Sequence, residues 1–499
     1  MSIARKLTPL LCVWSIAGCK VYDPRYCDAD RPCSDPLRSF CDVNGDYPAS
    51  EGIGRTCIPD PFVDGGSDDG EEPDADDGDQ TGDDGDSIDG GADRFVIDLA
   101  VGPDRTCAIL NDGGLRCWGS GPLGYPPEVG VVGDNEHPYE VGDVPAGGPV
   151  KQVALGDDFS CLLYEAGNVR CFGAGMNGQL GYGNTVDIDA IPADIDDVSL
   201  GEPARQIVAA ETHACALLES GAIRCWGLVR AGFVNSPLGY GNLETVGDNE
   251  VPSDLPAIEI GGAVIALSTA FSHMCAILGG ADGRVRCWGH AGILDPYSVL
   301  GHPGIRILGD DEAPSSAGDV SIGGKAIAIQ SSRSSNCVLL EGGAVRCWGS
   351  GLAMLGYGNA TTYGDNESPA AAPELSLGGI ARALNGGIKC ALMSNGDVRC
   401  WGHNGAGELG LGNTDHLGDN ELPVAAEAIS LGGPAIKLSS GIPGLPPDAI
   451  DGSHACALLE NHDVRCWGVN TSGQLGLGHQ ENIGDNEVPS DEPPVRVLE

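Results

Sequence analysis

The stretch His213–Gly227, HACALLESGAIRCWG, decides the fold. Ala214–Leu218 is an apolar run, Glu219-Ser220-Gly221 is turn chemistry, and Ala222–Trp226 returns, the pattern of a β-hairpin. Cys215 and Cys225 stand ten positions apart, equidistant from the turn. In an antiparallel pair this symmetry sets them opposite each other. Opposed Cα atoms of a non-hydrogen-bonded pair lie about 4.5 Å apart, within disulfide reach.

The unit occurs seven times. Its cysteine pairs are Cys107–Cys117, Cys161–Cys171, Cys215–Cys225, Cys275–Cys287, Cys337–Cys347, Cys390–Cys400 and Cys456–Cys466. Each second cysteine precedes an aromatic and a glycine, as in Cys117-Trp118-Gly119 and Cys171-Phe172-Gly173. The fourth pair is wider by two residues, matching its longer turn at Gly279–Gly283. Second cysteines recur every 53 to 66 residues. An all-β repeat of that period with Gly-rich turns predicts a propeller.

Composition narrows the setting. The 499 residues hold 78 Gly, suited to short strands and tight turns, and carry a formal net charge of −45. Such a surface repels nucleic acid and anionic lipid head groups. Of 20 cysteines, Cys12 lies in a leader, Cys19 stands apart, four sit near the N-terminus and fourteen belong to the hairpins. Full pairing of the hairpin cysteines implies an oxidising compartment. Zinc, the rival for paired cysteines, prefers shorter spacing or histidine partners, so no metal is assigned to them.

Residues 1–18 read as a secretory signal, with Arg5 and Lys6 ahead of the apolar run Leu7–Ile16. That run is shorter than the about 20 apolar residues a spanning helix needs. Ile16-Ala17-Gly18-Cys19 resembles the lipobox of bacterial lipoproteins, which implies lipidation of Cys19 and a cell-envelope location. Lys20 after it favours the outer membrane by resemblance to enterobacterial sorting. Residues 19–62 form a Cys-rich module with Cys27, Cys33, Cys41 and Cys57, whose connectivity is open. Residues 63–94 are an acidic disordered linker: between Asp64 and Asp93, fourteen of thirty residues are Asp or Glu. A flexible chain of that length spans roughly 30 Å.

Residues 95–499 hold the repeats. In the stretch from the third to the fourth unit, Ala257–Gly262 reads as a first strand and turn. A second strand begins at Val264 and runs to Leu278, and Arg284–Gly289 is the third. Leu-Gly follows each hairpin, as Gly178-Gln179-Leu180-Gly181 and Gly473-Gln474-Leu475-Gly476 in units two and seven. Hairpin, aromatic-Gly, then Gly-Gln-Leu-Gly resembles the repeat of the regulator of chromosome condensation family. The resemblance implies a seven-bladed β-propeller, and the paired cysteines resemble secreted bacterial members. Phe95–Leu99 aligns with second strands and Val495–Leu498 with first strands, so the C-terminal strand is expected to complete the blade the N-terminus begins and close the ring.

Arg116, Arg170, Arg224, Arg286, Arg346, Arg399 and Arg465 each precede a second cysteine. An acidic turn also recurs, as Gly-Asp-Asn-Glu from Gly133, Gly247, Gly364, Gly418 and Gly484, and as Gly309-Asp310-Asp311-Glu312. These arginines are expected to hold the acidic loops by charge-assisted hydrogen bonds. His213, His273 and His454, two before a first cysteine, read as repeat drift rather than metal ligands.

No nucleophile elbow, phosphate loop or His-Glu-x-x-His is present. The expected function is therefore a non-enzymatic, lipid-anchored binding scaffold whose variable segments, such as Val229–Pro237 and Gly441–Asp451, meet a protein or surface ligand. No cofactor, no metal and no nucleic acid is expected, membrane contact is through the N-terminal lipid alone, and the chain is expected to be a monomer. The alternatives are an inhibitor of an envelope or secreted enzyme, and a propeller lyase or hydrolase with an axial site. The last would be favoured by a cleft holding His and Glu with shifted pKa values.

Overall fold

The computed structural model describes residues 93–499, except 190–191, 232–233, 236, 292–298 and 442–452. The signal segment, Cys19, the Cys-rich module, nearly all of the acidic linker and nearly all of the Gly441–Asp451 insertion lie outside the described residues.

Seven antiparallel sheets of three or four strands follow one another along the chain, and Arg230–Ala231 pairs with Val234–Asn235 in a short two-stranded ribbon. In the third, Ala204–Ala209, His213–Leu218 and Ile223–Gly227 pair in chain order. We call these the inner, middle and outer strands. The other inner strands are Val96–Val101, Val150–Leu155, Val264–Thr269, Ala326–Ser332, Ala381–Asn385 and Ala435–Ser440. The fourth sheet gains a short edge strand, Ile307–Leu308.

Middle strands are buried along their whole length in six of the seven sheets, so their side chains pack on both faces and read as continuous apolar runs. A reversal precedes each middle strand. The stretch expected as one strand from Val264 to Leu278 is two, Val264–Thr269 and His273–Leu278. The chain turns at Ala270-Phe271-Ser272, where Ala270 N donates to His273 O at 2.9 Å. Every inner strand also carries a β-bulge near its start, as between Ala204 and Gln206.

Each hairpin sets its cysteines in register, as Cys215 opposite Cys225, and the seven disulfides bring Cα atoms to 4.0–4.1 Å. All fourteen half-cystines are buried. The six described tryptophans are at most 1% exposed, and they fill the space between neighbouring sheets. Trp226 Nε1 donates to Gln179 O of the preceding unit at 2.9 Å, and Trp118 Nε1 donates to Gln474 O at 2.9 Å. The Leu-Gly glycine lies against this ring. Gly181 sits at φ +77° and a Cβ there would meet Trp226 at 3.0 Å.

The segment expected as a first strand makes no ladder. Ile258 N donates to Ile223 O, and Ile260 N turns back to Ile258 O. Ser315 N and Arg286 Nη1 of the next unit then donate to Glu259 O and Ile260 O. The C-terminal segment repeats this arrangement. Val495 N donates to Val464 O of the seventh unit, while Tyr139 N and Arg116 Nη1 of the first unit donate to Arg496 O and Val497 O.

Inner strands face one another across unit boundaries without a shared ladder, which would leave backbone groups unpaired. Side chains fill the gap. The Gln152 amide brackets Ile207, accepting from its N–H at 2.9 Å and donating to its carbonyl at 2.8 Å. Gln206 does the same to Leu267. Between units seven and one, Lys437 pairs with Asp98 at 2.9 Å and Ser439 Oγ accepts from Val101 N at 3.2 Å.

Candidate binding site at the central cavity

The seven arginines do not reach the Gly-Asp-Asn-Glu turns, which corrects the sequence expectation. Those turns are satisfied internally: Glu312, Glu421 and Glu487 accept from Gly309 N, Gly418 N and Gly484 N at 3.0–3.2 Å. The arginines instead clamp the bridging segments, the stretches between one sheet and the next that meet the outer strand through a backbone N–H at the bridging position, as Ile258 N meets Ile223 O. Arg224 donates to Pro252 O and Leu255 O, Arg399 to Ala426 O, and Arg465 to Pro489 O and Glu492 O. A carboxylate partner appears only where the residue before the bridging position is acidic. Arg116 Nε meets Asp143 at 2.8 Å, Arg170 Nε meets Asp197 at 2.7 Å, and Arg286 Nε meets Asp319 at 2.8 Å. Arg346 lies 3.9 Å from Glu374 and donates to Ile322 O. Units three, six and seven have Ala257, Ala428 and Pro494 at that position, so their arginines bind carbonyls alone.

Because the Arg346 bond is buried and charge-assisted, Arg346→Ala is expected to lower stability by about 2 kcal/mol in denaturant unfolding. An unchanged unfolding midpoint would rule the clamp out.

The histidines are structural as well. Between units, His213 Nε2 meets Thr269 Oγ1 at 2.9 Å, His273 Nε2 meets Asn336 Oδ1 at 2.9 Å, and His454 Nε2 meets Thr106 Oγ1 at 2.7 Å. Burial holds their imidazoles well below the usual range, at about 4, 4 and 3, so they are neutral at physiological pH. Arg105 occupies the same repeat position and reaches across to unit two.

Sequence reasoning passed over a tyrosine after Leu-Gly in four units. Tyr182, Tyr240 and Tyr357 each accept from the N–H of the second cysteine and donate to its carbonyl, at 2.9–3.1 Å. Tyr125 accepts from Cys117 N at 3.3 Å and donates to Gly142 O. Burial pushes the Tyr125 and Tyr240 phenols up to about 12, which keeps each hydroxyl able to donate and accept.

Inner strands of all seven sheets line a cavity of about 330 Å³. Its wall includes Gln152, Gln206, Ser268, Thr269, Asn385 and Ser440. Most of these polar groups already bond between units: the two glutamines as above, Ser268 Oγ from Ser331 N at 2.8 Å, and Asn385 Nδ2 to Leu438 O at 3.1 Å.

The turns from inner to middle strand differ from unit to unit. They read Pro103-Asp104, Asp157-Asp158, Glu211-Thr212, Phe271-Ser272, Arg333-Ser334 and Gly386-Gly387. Pro103, Asp157, Glu211, Phe271 and Gly387 border the cavity. Glu211 is 7% exposed, and neither of its carboxyl oxygens has a hydrogen-bond partner. Burial pushes that carboxyl up to about 8, with the neighbouring Asp157 charge adding to the shift and Arg333 opposing it. Asp157 rises to about 6 through burial and then Asp158. Arg333 lies over the Phe271 ring at 5.3 Å, and its Nη2 is also without a partner. No single turn signals this cluster, because its acids come from units about fifty residues apart.

Residues 96–124, 150–179 and 452–474 match the Regulator of chromosome condensation (RCC1) repeat. The Ultraviolet-B receptor UVR8 of Arabidopsis thaliana is 26% identical over 394 residues, covering 77% of this chain and 79% of that protein. The RCC1 domain-containing mitochondrial protein RUG3 of the same plant is 24% identical over 419 residues, covering 78% and 84%. Among solved structures, yeast RCC1 (Prp20), crystallised bound to Kap60, superposes with a TM-score of 0.56 at 16% identity, covering 82% of this chain and 90% of that one. Prp20p of Saccharomyces cerevisiae, studied for binding to Gsp1p and histones, gives a TM-score of 0.55 at 17% identity, covering 79% and 87%. The chain therefore carries RCC1 repeats on an RCC1-like propeller fold.

Proposed function

We propose that this chain is a non-enzymatic binding propeller, closed into a ring and tethered through lipid on Cys19 in the cell envelope, which offers unit-specific turns to a protein or surface ligand. One observation carries the binding role: hairpin, cystine and aromatic repeat in every unit, while the turns around the central cavity do not. Scaffold positions repeat and recognition positions vary. Closure is supported by the bonds running from unit seven to unit one, at Lys437–Asp98, His454–Thr106, Trp118–Gln474 and Arg116–Val497. Placement outside the reducing interior is supported by seven buried cystines. The lipid anchor rests on Ile16-Ala17-Gly18-Cys19.

A binding role also fits the relatives whose names state one, a receptor and a protein that binds Gsp1p and histones. One observation favours a second reading, an enzyme with an axial acid. The Glu211 carboxyl is shifted to about 8 beside Asp157, although His213, His273 and His454 are not among the residues lining the cavity.

The test is capture from envelope extract by the chain bearing Cys19→Ala. Replacing Asp157-Asp158, Glu211-Thr212 and Arg333-Ser334 with Gly-Gly, the pair unit six already carries, is expected to abolish capture. Replacing the hairpin turns, such as Glu219-Ser220, is expected to leave it intact. Capture that survives the Gly-Gly replacements would refute recognition at the cavity turns.

A further inference from the structure

Glu211 is the buried carboxyl whose local structure leaves it incomplete. Its backbone carbonyl accepts from Asp157 N at 3.3 Å, which holds the second and third turns together, yet its side chain receives no donor. An unpartnered buried acid is costly whether ionised or neutral, and a protein retains one where something else completes it. Asp157 stands beside it, with Asp104, Asp158 and Arg105 also within electrostatic reach of Asp157. Arg105 is committed to four acceptors in unit two, and Arg333 rests on Phe271. Ser331 Oγ, 2% exposed and likewise unpartnered, lines the same cavity.

The missing group is a donor carrying positive charge. A metal ion would need three or more ligand atoms converging on one point. Among the described residues that arrangement occurs at Asp310, Asp311 and Glu312, outside the cavity. An ammonium needs only acceptors around its three N–H bonds, and a cavity of about 330 Å³ admits one aliphatic amine or one lysine side chain.

We infer that this end of the cavity binds a primary ammonium group, with the Glu211 and Asp157 carboxylates as its acceptors. The inference rests on the binding reading above and names the chemistry of its ligand. Binding turns a mostly neutral Glu211 into a carboxylate. At pH 7.5 up to one proton therefore leaves as the amine enters; Asp157 and Arg333 are the charged groups acting on Glu211, and Asp158, Arg105, Asp104 and Arg333 act on Asp157 in turn.

Calorimetric titration of the oxidised full chain tests this, using cadaverine, a capped peptide with a single central lysine, and calcium chloride. Saturable binding of at least one amine is expected, with an enthalpy that depends on buffer ionisation because a proton is released. Tighter cadaverine binding assigns a free amine as the source; tighter peptide binding assigns a protein lysine. Glu211→Gln keeps the shape and removes the charge, and is expected to weaken binding about tenfold or more. Asp157→Asn is expected to weaken it severalfold and serves if the first variant does not fold.

Failure of both amines to bind would overturn the inference, as would amine binding unchanged in folded variants, or displacement of the amine by calcium. If no amine binds while the Gly-Gly turn replacements still abolish capture, the binding reading stands and the ammonium assignment alone falls.

Discussion

Removing the Cys215–Cys225 bridge by paired serine substitution is expected to cost about 3 kcal/mol of stability, and reducing all seven bridges to abolish the cooperative unfolding transition. Each bridge closes a hairpin whose cysteines are ten or twelve positions apart, so the gain comes from restricting the unfolded chain. The seven contributions do not simply add, because a bridged hairpin keeps local structure after unfolding. Burial of every half-cystine adds a kinetic signature. A thiol reductant in native buffer should act no faster than the sheets open, and denaturant should accelerate it sharply. Thiol titration of the denatured, unreduced protein should find none of the fourteen hairpin sulfurs free. Fourteen reactive thiols, or a loss below about 1 kcal/mol on deleting one bridge, would contradict the cross-linked architecture.

The second large effect is expected at Arg105, which is 1% exposed. Its guanidinium donates to Asp157 O at 2.7 Å, Gly156 O at 2.7 Å, Phe159 O at 2.6 Å and Ser160 Oγ at 3.2 Å, all in the second unit. Burial pulls it down to about 10, partly offset by Asp157, Asp104 and Asp158, so it stays charged at neutral pH. Arg105→Ala leaves three carbonyls without this donor and opens a void between units one and two. The expected loss is about 3 kcal/mol or more. Arg105→Met restores much of the volume without the donors and should recover only part of it. Equal stability of the methionine variant and the parent, by denaturant unfolding, would show that the bonds contribute nothing. Arg105 also shapes the turn carrying Asp157, so the alanine variant should weaken amine binding as well.

These two sites differ in how far they could be read in advance. The cystine register followed from the hairpin alone, since turn symmetry and strand alternation place Cys215 against Cys225 without reference to the rest of the molecule. The buried tryptophans and the repeat of sheets were legible on the same local grounds. The role of Arg105 was not, because its acceptors are main-chain carbonyls that any sequence supplies. The repeat arginines were misassigned for a related reason. Gly-Asp-Asn-Glu is conspicuous as a motif, yet its glutamate closes its own turn, as Glu487 does on Gly484 N. The informative residue was the single acid before the bridging position in four units, Asp143, Asp197, Asp319 and Glu374.

The reversal at Ala270-Phe271-Ser272 is marked only by the short polar break Ser268-Thr269 and Ser272-His273 between two apolar runs, and a three-residue turn leaves no longer loop to set the strands apart. Sequence by itself determined the hairpins, their cross-links, the seven-fold repetition and the acidic character, all products of short-range order and composition. Only the tertiary structure decided which groups meet between units: His454 with Thr106, Gln152 with Ile207, and Asp157 with an unpartnered Glu211. Those pairings depend on how sheets some fifty residues apart are rotated against one another. That rotation is set by packing over the whole molecule and leaves no periodic trace in the chain.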